Sequence, residues 1–104
     1  PTFVNIPDSL LPALNRARVV ADIESKGTTL RANGNKVILE THTHFGDVKD
    51  TVTLDEEHKS VVAYVSAKLI SRVVAISSEF AMTDAFTIYR DSDDFLVLVG
   101  NLGE

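Results

Sequence analysis

Residues 53–78 read TLDEEHKSVVAYVSAKLISRVVAISS, and whether this stretch is one helix or several elements decides the architecture. Thr53-Leu54-Asp55-Glu56 has the spacing of a capping box, and Asp55, Glu56 and Glu57 suit the positive end of a helix dipole. At the helical repeat, Val62, Val65, Leu69, Val73, Ile76 and Phe80 fall within an arc of roughly 80°. Glu57, Ser60, Lys68, Ser71 and Ser78 take the opposite side. The spacing predicts one long helix over Glu56–Ser78. A second ridge of Ala63, Ile70 and Val74, with Ser66 and Ala67 beside it, makes nearly half of that helix apolar. A helix lying on a sheet needs only about a third of its circumference buried. Either an N-terminal helix or a second copy of the chain must cover the surplus.

Upstream, the period is two. Lys36, Ile38, Glu40, His42 and His44 alternate with Val37 and Leu39, and beyond Phe45-Gly46-Asp47 the apolar Val48, Val52 and Leu54 alternate with Lys49, Thr51 and Thr53. Both runs predict strands joined by a turn. Asn33-Gly34 suits the two positive-φ positions of a type I′ turn, which predicts a hairpin with Leu30 opposite Val37 and Thr28 opposite Leu39. Asp8 or Ser9 caps a short helix with Leu10, Leu14 and Ala17 on one face. From Arg18 onward, Val19, Ala21 and Ile23 alternate with Val20, Asp22 and Glu24, which favours a strand turning back at Ser25-Lys26-Gly27. A helix continuing to Lys26 and closed by Gly27 is the competing reading.

Downstream, Phe86, Ile88 and Arg90 alternate with Thr87 and Tyr89, and Asp91-Ser92-Asp93-Asp94 supplies a polar turn. Phe95–Val99 is apolar without alternation, which predicts a strand covered on both faces or shielded by a partner. Residues 1–104 therefore read as a single α+β domain. Its expected form is a two-layer arrangement in which an antiparallel β-meander and a C-terminal β-hairpin pack against one long helix and a short N-terminal helix.

The 104 residues, 44% hydrophobic and 24% charged, suit one globular domain. Cysteine is absent, which excludes disulfides, thiolate zinc sites and a catalytic thiol within this stretch. No apolar run approaches the ~20 residues of a membrane span, and neither a basic-then-apolar leader nor an Asn-x-Ser/Thr sequon occurs, so a cytoplasmic location is expected. Residues 1–78 carry equal numbers of basic and acidic residues, and the whole net charge of −5 lies in residues 79–104. With Arg16 and Arg18 the one close basic pair in the first half, and Asp22 and Glu24 following, neither direct nucleic-acid contact nor a membrane partner is expected.

Two constellations invite chemistry. His42 and His44 lie at i and i+2 of a strand with Glu40 beside them, and two imidazoles with a carboxylate are ligand types of zinc and non-haem iron sites. The alternative is an exposed Thr-His-Thr-His strand. Pro1 opens the chain, and an N-terminal proline is a secondary amine able to act as a base. The opening Pro1-Thr2-Phe3-Val4-Asn5-Ile6 resembles the first strand of tautomerase-superfamily proteins, a resemblance that implies a catalytic proline. No triad, phosphate-binding loop or dinucleotide fingerprint occurs. Asp91, Asp93 and Asp94 resemble the start of a calcium loop but lack its central Gly and closing Glu.

Two further likenesses point to assembly. Val19-Val20-Ala21-Asp22-Ile23-Glu24-Ser25-Lys26-Gly27-Thr28-Thr29-Leu30, followed by Leu54-Asp55-Glu56-Glu57-His58, resembles the strand–turn–strand and next element of roadblock-type dimerisation domains. The order helix, strands, helix, hairpin is similar to that of small acidic secretion chaperones. Both resemblances imply a small dimeric adaptor. The reading is a non-enzymatic protein-interaction domain, adaptor or chaperone-like, that forms a homodimer and carries no cofactor or metal. Its interface candidates are Ala63, Ile70, Val74, Phe95 and Val97. The alternatives are a small enzyme or ligand-binding domain using Pro1 or the His42/His44/Glu40 face, and an acidic inhibitor that mimics nucleic acid through Asp91–Asp94.

Overall fold

The computed structural model describes residues 3–24, 27–44, 46–91 and 95–102. In chain order the elements are β1 (Val4–Asn5), α1 (Leu10–Glu24), β2 (Thr28–Thr43), β3 (Gly46–Val65), α2 (Ala67–Val74), β4 (Glu79–Met82), β5 (Phe86–Asp91) and β6 (Phe95–Gly100). All pairings are antiparallel: β1-β4-β5-β6 form one sheet, and β2-β3 form the other as a long ribbon. The α+β class expected from the sequence is the one observed, with both helices contributing to a core shared by the two sheets.

The long helix over Glu56–Ser78 does not form. Its first half is the end of β3, and only Ala67–Val74 is helical. Val61, Val62, Tyr64 and Val65 suit a pleated surface, and β2 supplies the ladder, with Leu30 opposite Ala63 and Thr28 opposite Val65. Ala63 and Val65 are buried, whereas Val62 is 49% exposed and Tyr64 half-buried, the alternation of a strand with one face on the core. Ser66 then starts α2: its side chain accepts a hydrogen bond from the Leu69 N–H at 3.3 Å, the usual service of an N-cap serine. Ala67, Ile70, Ser71 and Val74 form the buried stripe of α2. The apparent continuous helical face is two elements in register by coincidence.

Residues 19–24 close α1 rather than forming a strand, so the competing helical reading is the correct one. Ala21 is buried with Leu10, Leu14 and Ala17, one turn after the last of them. The expected turn residues Ser25 and Lys26 lie outside the described residues. The strand–turn–strand likeness to roadblock-type domains fails with its first strand.

The Asn33-Gly34 hairpin is also absent. Gly34 does take a positive φ of 63°, but β2 runs straight through it, and the positive φ serves a bulge. Val37 pairs with Val52 and Leu39 with Asp50, instead of with Leu30 and Thr28. Ala32 faces Val61, Gly34 faces His58 and Lys36 faces Thr53, so residues 54–57 stand opposite Asn35 alone. The bulge also reverses which parity faces the core: Leu30 and Ala32 are buried before it, Val37, Leu39 and Thr41 after it. The alternation expected over 36–44 and 48–54 holds, as does the reversal between them, where Thr43 pairs with Gly46. The C-terminal hairpin also forms, with Ile88 opposite Leu98.

The two sheets are joined by polar contacts along β3. The Asn5 N–H donates to Glu56 Oε1 at 2.9 Å, the Met82 N–H to His58 Nε2 at 3.0 Å, and the Leu102 N–H to the Tyr64 carbonyl at 2.7 Å. His58 is 6% exposed and stacks on Phe80 with ring centroids 6.0 Å apart. Its Nδ1 lies 2.8 Å from the Lys59 carbonyl. A carbonyl can only accept, so Nδ1 carries the proton and Nε2 is left to accept from Met82. The third histidine is a structural joint.

Candidate functional site

None of the sequence-nominated sites assembles into a reacting centre among the described residues. His42 is exposed on β2 with Glu40 half-buried beside it, and His44 is exposed in the turn that follows β2. His42 Nδ1 lies 2.9 Å from Asp47 Oδ1 and its Nε2 3.9 Å from Glu40 Oε2. These are lateral contacts across a strand surface, and no group of three or more His, Asp or Glu side chains among the described residues is placed to hold a metal ion. Pro1 lies outside the described residues, as do Ser92, Asp93 and Asp94. Arg90, the one basic residue of the acidic quarter, is held 2.9 Å from Glu79 and covers the Phe3 ring at 3.8 Å.

Of the interface candidates, Ala63, Ile70 and Val74 belong to the core. The second ridge attributed to the long helix therefore points inward, not toward a surplus surface. Phe95 and Val97 are half-buried. The exposed residues of β6 are those of the other parity, Leu96 at 59% and Leu98 at 57%, continued by Leu102. The unalternating run Phe95–Val99 thus has Val97 and Val99 packed on the core and two leucines facing outward, on a strand at the edge of its sheet. Large apolar side chains on an unpaired edge are a recognised invitation to another chain.

The helices present the other distinctive surface. α1 and α2 pack side by side on the core. Arg16 and Arg18 of α1 and Lys68 and Arg72 of α2 are cations on these helices, and α1 also includes Asp22 and Glu24 near its end. Arg16 is neutralised by Asp50 of β3 through two bonds, Nε to Oδ2 at 3.2 Å and Nη2 to Oδ1 at 3.0 Å. The same carboxylate holds its guanidinium still more firmly protonated than usual. Arg18, Lys68 and Arg72 carry no ion pair with a described residue. This grouping escapes a reading of the sequence because the cations come from segments fifty residues apart.

A ribbon, a four-stranded sheet and two adjacent helices in this arrangement occur in solved structures. The fold is shared with DNA polymerase III beta subunits. The beta subunit from Thermotoga maritima superposes with a TM-score of 0.82 at 20% identity, over 98% of this chain and 30% of that one. The Caulobacter crescentus pol III beta protein gives 0.81 at 18% identity, over 100% and 30%. A DNA polymerase sliding clamp from Pseudomonas aeruginosa, solved with a ligand, gives 0.80 at 9% identity, over 98% and 31%. The chain thus spans about 30% of the length of these sliding-clamp proteins. No family model and no curated protein matches it.

Among the described residues, Tyr89 is the largest of the fully buried side chains. Burial raises its phenol well above the ordinary value of 10.0, because a phenolate would have to form away from water. The sign comes from linkage: the unfolded chain ionises above pH 10 and the folded chain does not, so the stability conferred by Tyr89 is complete below pH 10 and is lost as pH rises. Relative to Tyr89→Phe, the wild-type chain is expected to lose about 1.4 kcal/mol between pH 8 and pH 11. Urea unfolding of both proteins at the two pH values checks this. Parallel losses would show that another group governs alkaline unfolding.

Proposed function

We propose that the chain is one domain of a sliding-clamp type subunit: a non-enzymatic module that engages a protein partner while its helical layer rests against duplex DNA. The observation that carries this reading is the layer of α1 and α2. It presents Arg18, Lys68 and Arg72, without ion pairs to described residues, on a chain whose net charge is −5. The similar structures are named as a DNA polymerase subunit and a sliding clamp, and the likeness extends over nearly the whole chain. Cations carried on two packed helices suit phosphate contacts that hold DNA without reading its sequence. The sequence alone argues against nucleic acid because its basic residues are dispersed; the packing of α1 on α2 puts three of them on neighbouring helices.

The protein-binding part of the proposal rests on β6. Leu96 and Leu98 replace Phe95 and Val97 as the side chains that would meet a partner, and a second copy of the chain meeting edge to edge is the simplest such partner. Fluorescence anisotropy of a labelled 20-base-pair duplex, titrated with the full chain, tests the DNA reading. Three phosphate contacts predict an affinity that falls roughly fortyfold between 50 and 200 mM salt. The triple variant Arg18→Glu, Lys68→Glu, Arg72→Glu is expected to abolish binding while remaining folded. Unchanged binding by that variant would refute the reading.

A further inference from the structure

We propose that the concavity at the β2–β3 bulge receives an acidic, aliphatic segment of a partner protein. This surface lies on the face of the ribbon opposite the helices and is separate from both the helical layer and β6. A hollow of about 520 Å³, lined from Arg31 to Ile38 and from Ser60 to Val62, lies beside the register shifts between Ala32 and Lys36. That volume lies within the range of ligand-binding clefts, roughly 300–1,000 Å³, and accommodates one or two aliphatic side chains.

The lining specifies the chemistry. Ile38 and Val62 supply an apolar surface that the core does not use, Val62 being half-exposed. Asn33 and Ser60 close one side, the serine hydroxyl donating to Asn33 Oδ1 at 2.9 Å. Arg31 and Lys36 stand at the margin, and no carboxylate lines the hollow. Glu40 engages only Nε of Arg31, at 3.2 Å, so the terminal nitrogens, which bind carboxylates side-on, carry no bond to a described residue. Lys36 donates to the neutral Thr53 hydroxyl at 2.8 Å, which leaves its charge uncompensated. Lys36, and Arg31 through the terminal nitrogens that its ion pair with Glu40 leaves open, flank an apolar floor and complement a segment in which carboxylates flank aliphatic side chains. The lining holds no aromatic ring, so single-stranded nucleic acid lacks the stacking platform it needs.

The test is an amide-shift titration of the isotopically labelled full chain with the peptide acetyl-Glu-Val-Glu-Ile-Glu-amide. Shifts are expected to cluster at Arg31–Ile38 and Ser60–Val62. Binding is expected to weaken at least tenfold, to the limit of detection, for the Gln-Val-Gln-Ile-Gln peptide and for the variant Arg31→Glu, Lys36→Glu. Val62→Ser, which alters the floor without touching charge, is expected to weaken it severalfold. Both variants change exposed side chains, and their spectra report directly whether they fold. Equal binding of the neutral peptide, shifts located elsewhere, absence of binding at about 5 mM peptide, or displacement of the peptide by oligothymidine would each overturn the proposal. Because DNA contact is assigned to the helical layer, failure here leaves that reading standing, and the reverse also holds.

Discussion

Ile70→Asp is expected to leave the chain unfolded. Ile70 is 1% exposed in the buried stripe of α2, among core residues drawn from both helices and both sheets. A carboxylate there has no partner, and an uncompensated buried charge costs at least ~4 kcal/mol, against the ~5–15 kcal/mol that holds an entire domain together. Ile70→Ala, which leaves a cavity without a charge, is expected to cost about 3 kcal/mol. Leu69→Asp, one residue earlier and 48% exposed, is expected to change stability by no more than ~0.5 kcal/mol. Urea midpoints of the three variants check the set. A folded Ile70→Asp protein with an unchanged midpoint would restore the long amphipathic helix with Ile70 on its outer ridge.

The second large effect is assigned to His58. Replacing it with alanine removes the stack on Phe80 and the acceptor for the Met82 N–H, and frees the Lys59 carbonyl from its partner. Leaving a buried donor unmade costs ~1–3 kcal/mol, and the lost ring adds a cavity, so His58→Ala is expected to destabilise by about 3 kcal/mol. His42→Ala on the exposed face of β2, and His44→Ala in the exposed turn after it, are expected to fall within ~0.5 kcal/mol of wild type. Thermal or urea unfolding separates these outcomes. A His58→Ala variant as stable as His42→Ala would remove His58 as the joint between β3 and β4.

Local patterns suffice for part of the fold and fail for the rest. The alternation over 36–44 and 48–54 reports a one-sided ribbon directly, and the C-terminal hairpin comes from a polar turn between two apolar runs. The stretch 61–65 is different. Val62 and Val65 satisfy a helical repeat with Leu69, yet Val61-Val62-Ala63-Tyr64-Val65 also makes a sound strand. The choice is made by residues 28–32, which lie some thirty positions away and offer a ladder. Ser66 is the local signal available: a serine before Ala67 and three residues ahead of Leu69 marks a helix start inside the supposed helix. Ala21 gives a similar warning at the other end, since it continues the face of Leu14 and Ala17.

Asn33-Gly34 is half legible for a physical reason. The dipeptide announces a positive φ, and the chain does adopt one at Gly34, but a bulge within a long strand meets that requirement as well as a hairpin turn does. The structural difference is large, because the bulge lets β2 and β3 run on as one ribbon, with the hollow lined by Arg31 and Lys36 beside it. The candidate functional surfaces are less legible than the fold. The helical cations sit on neighbouring elements only because α1 and α2 pack together, and the outward parity of β6 depends on which of its faces the core claims.

If the helical layer meets duplex DNA, amide shifts of the labelled full chain on addition of a 20-base-pair duplex at low salt locate the contact residue by residue. The predicted result is a cluster of perturbations along α1 near Arg18 and along α2 from Lys68 to Arg72, fading as salt is raised. Perturbations confined to the strand faces, or none at DNA concentrations up to about 1 mM, well above the range of ordinary non-specific binding, would contradict it.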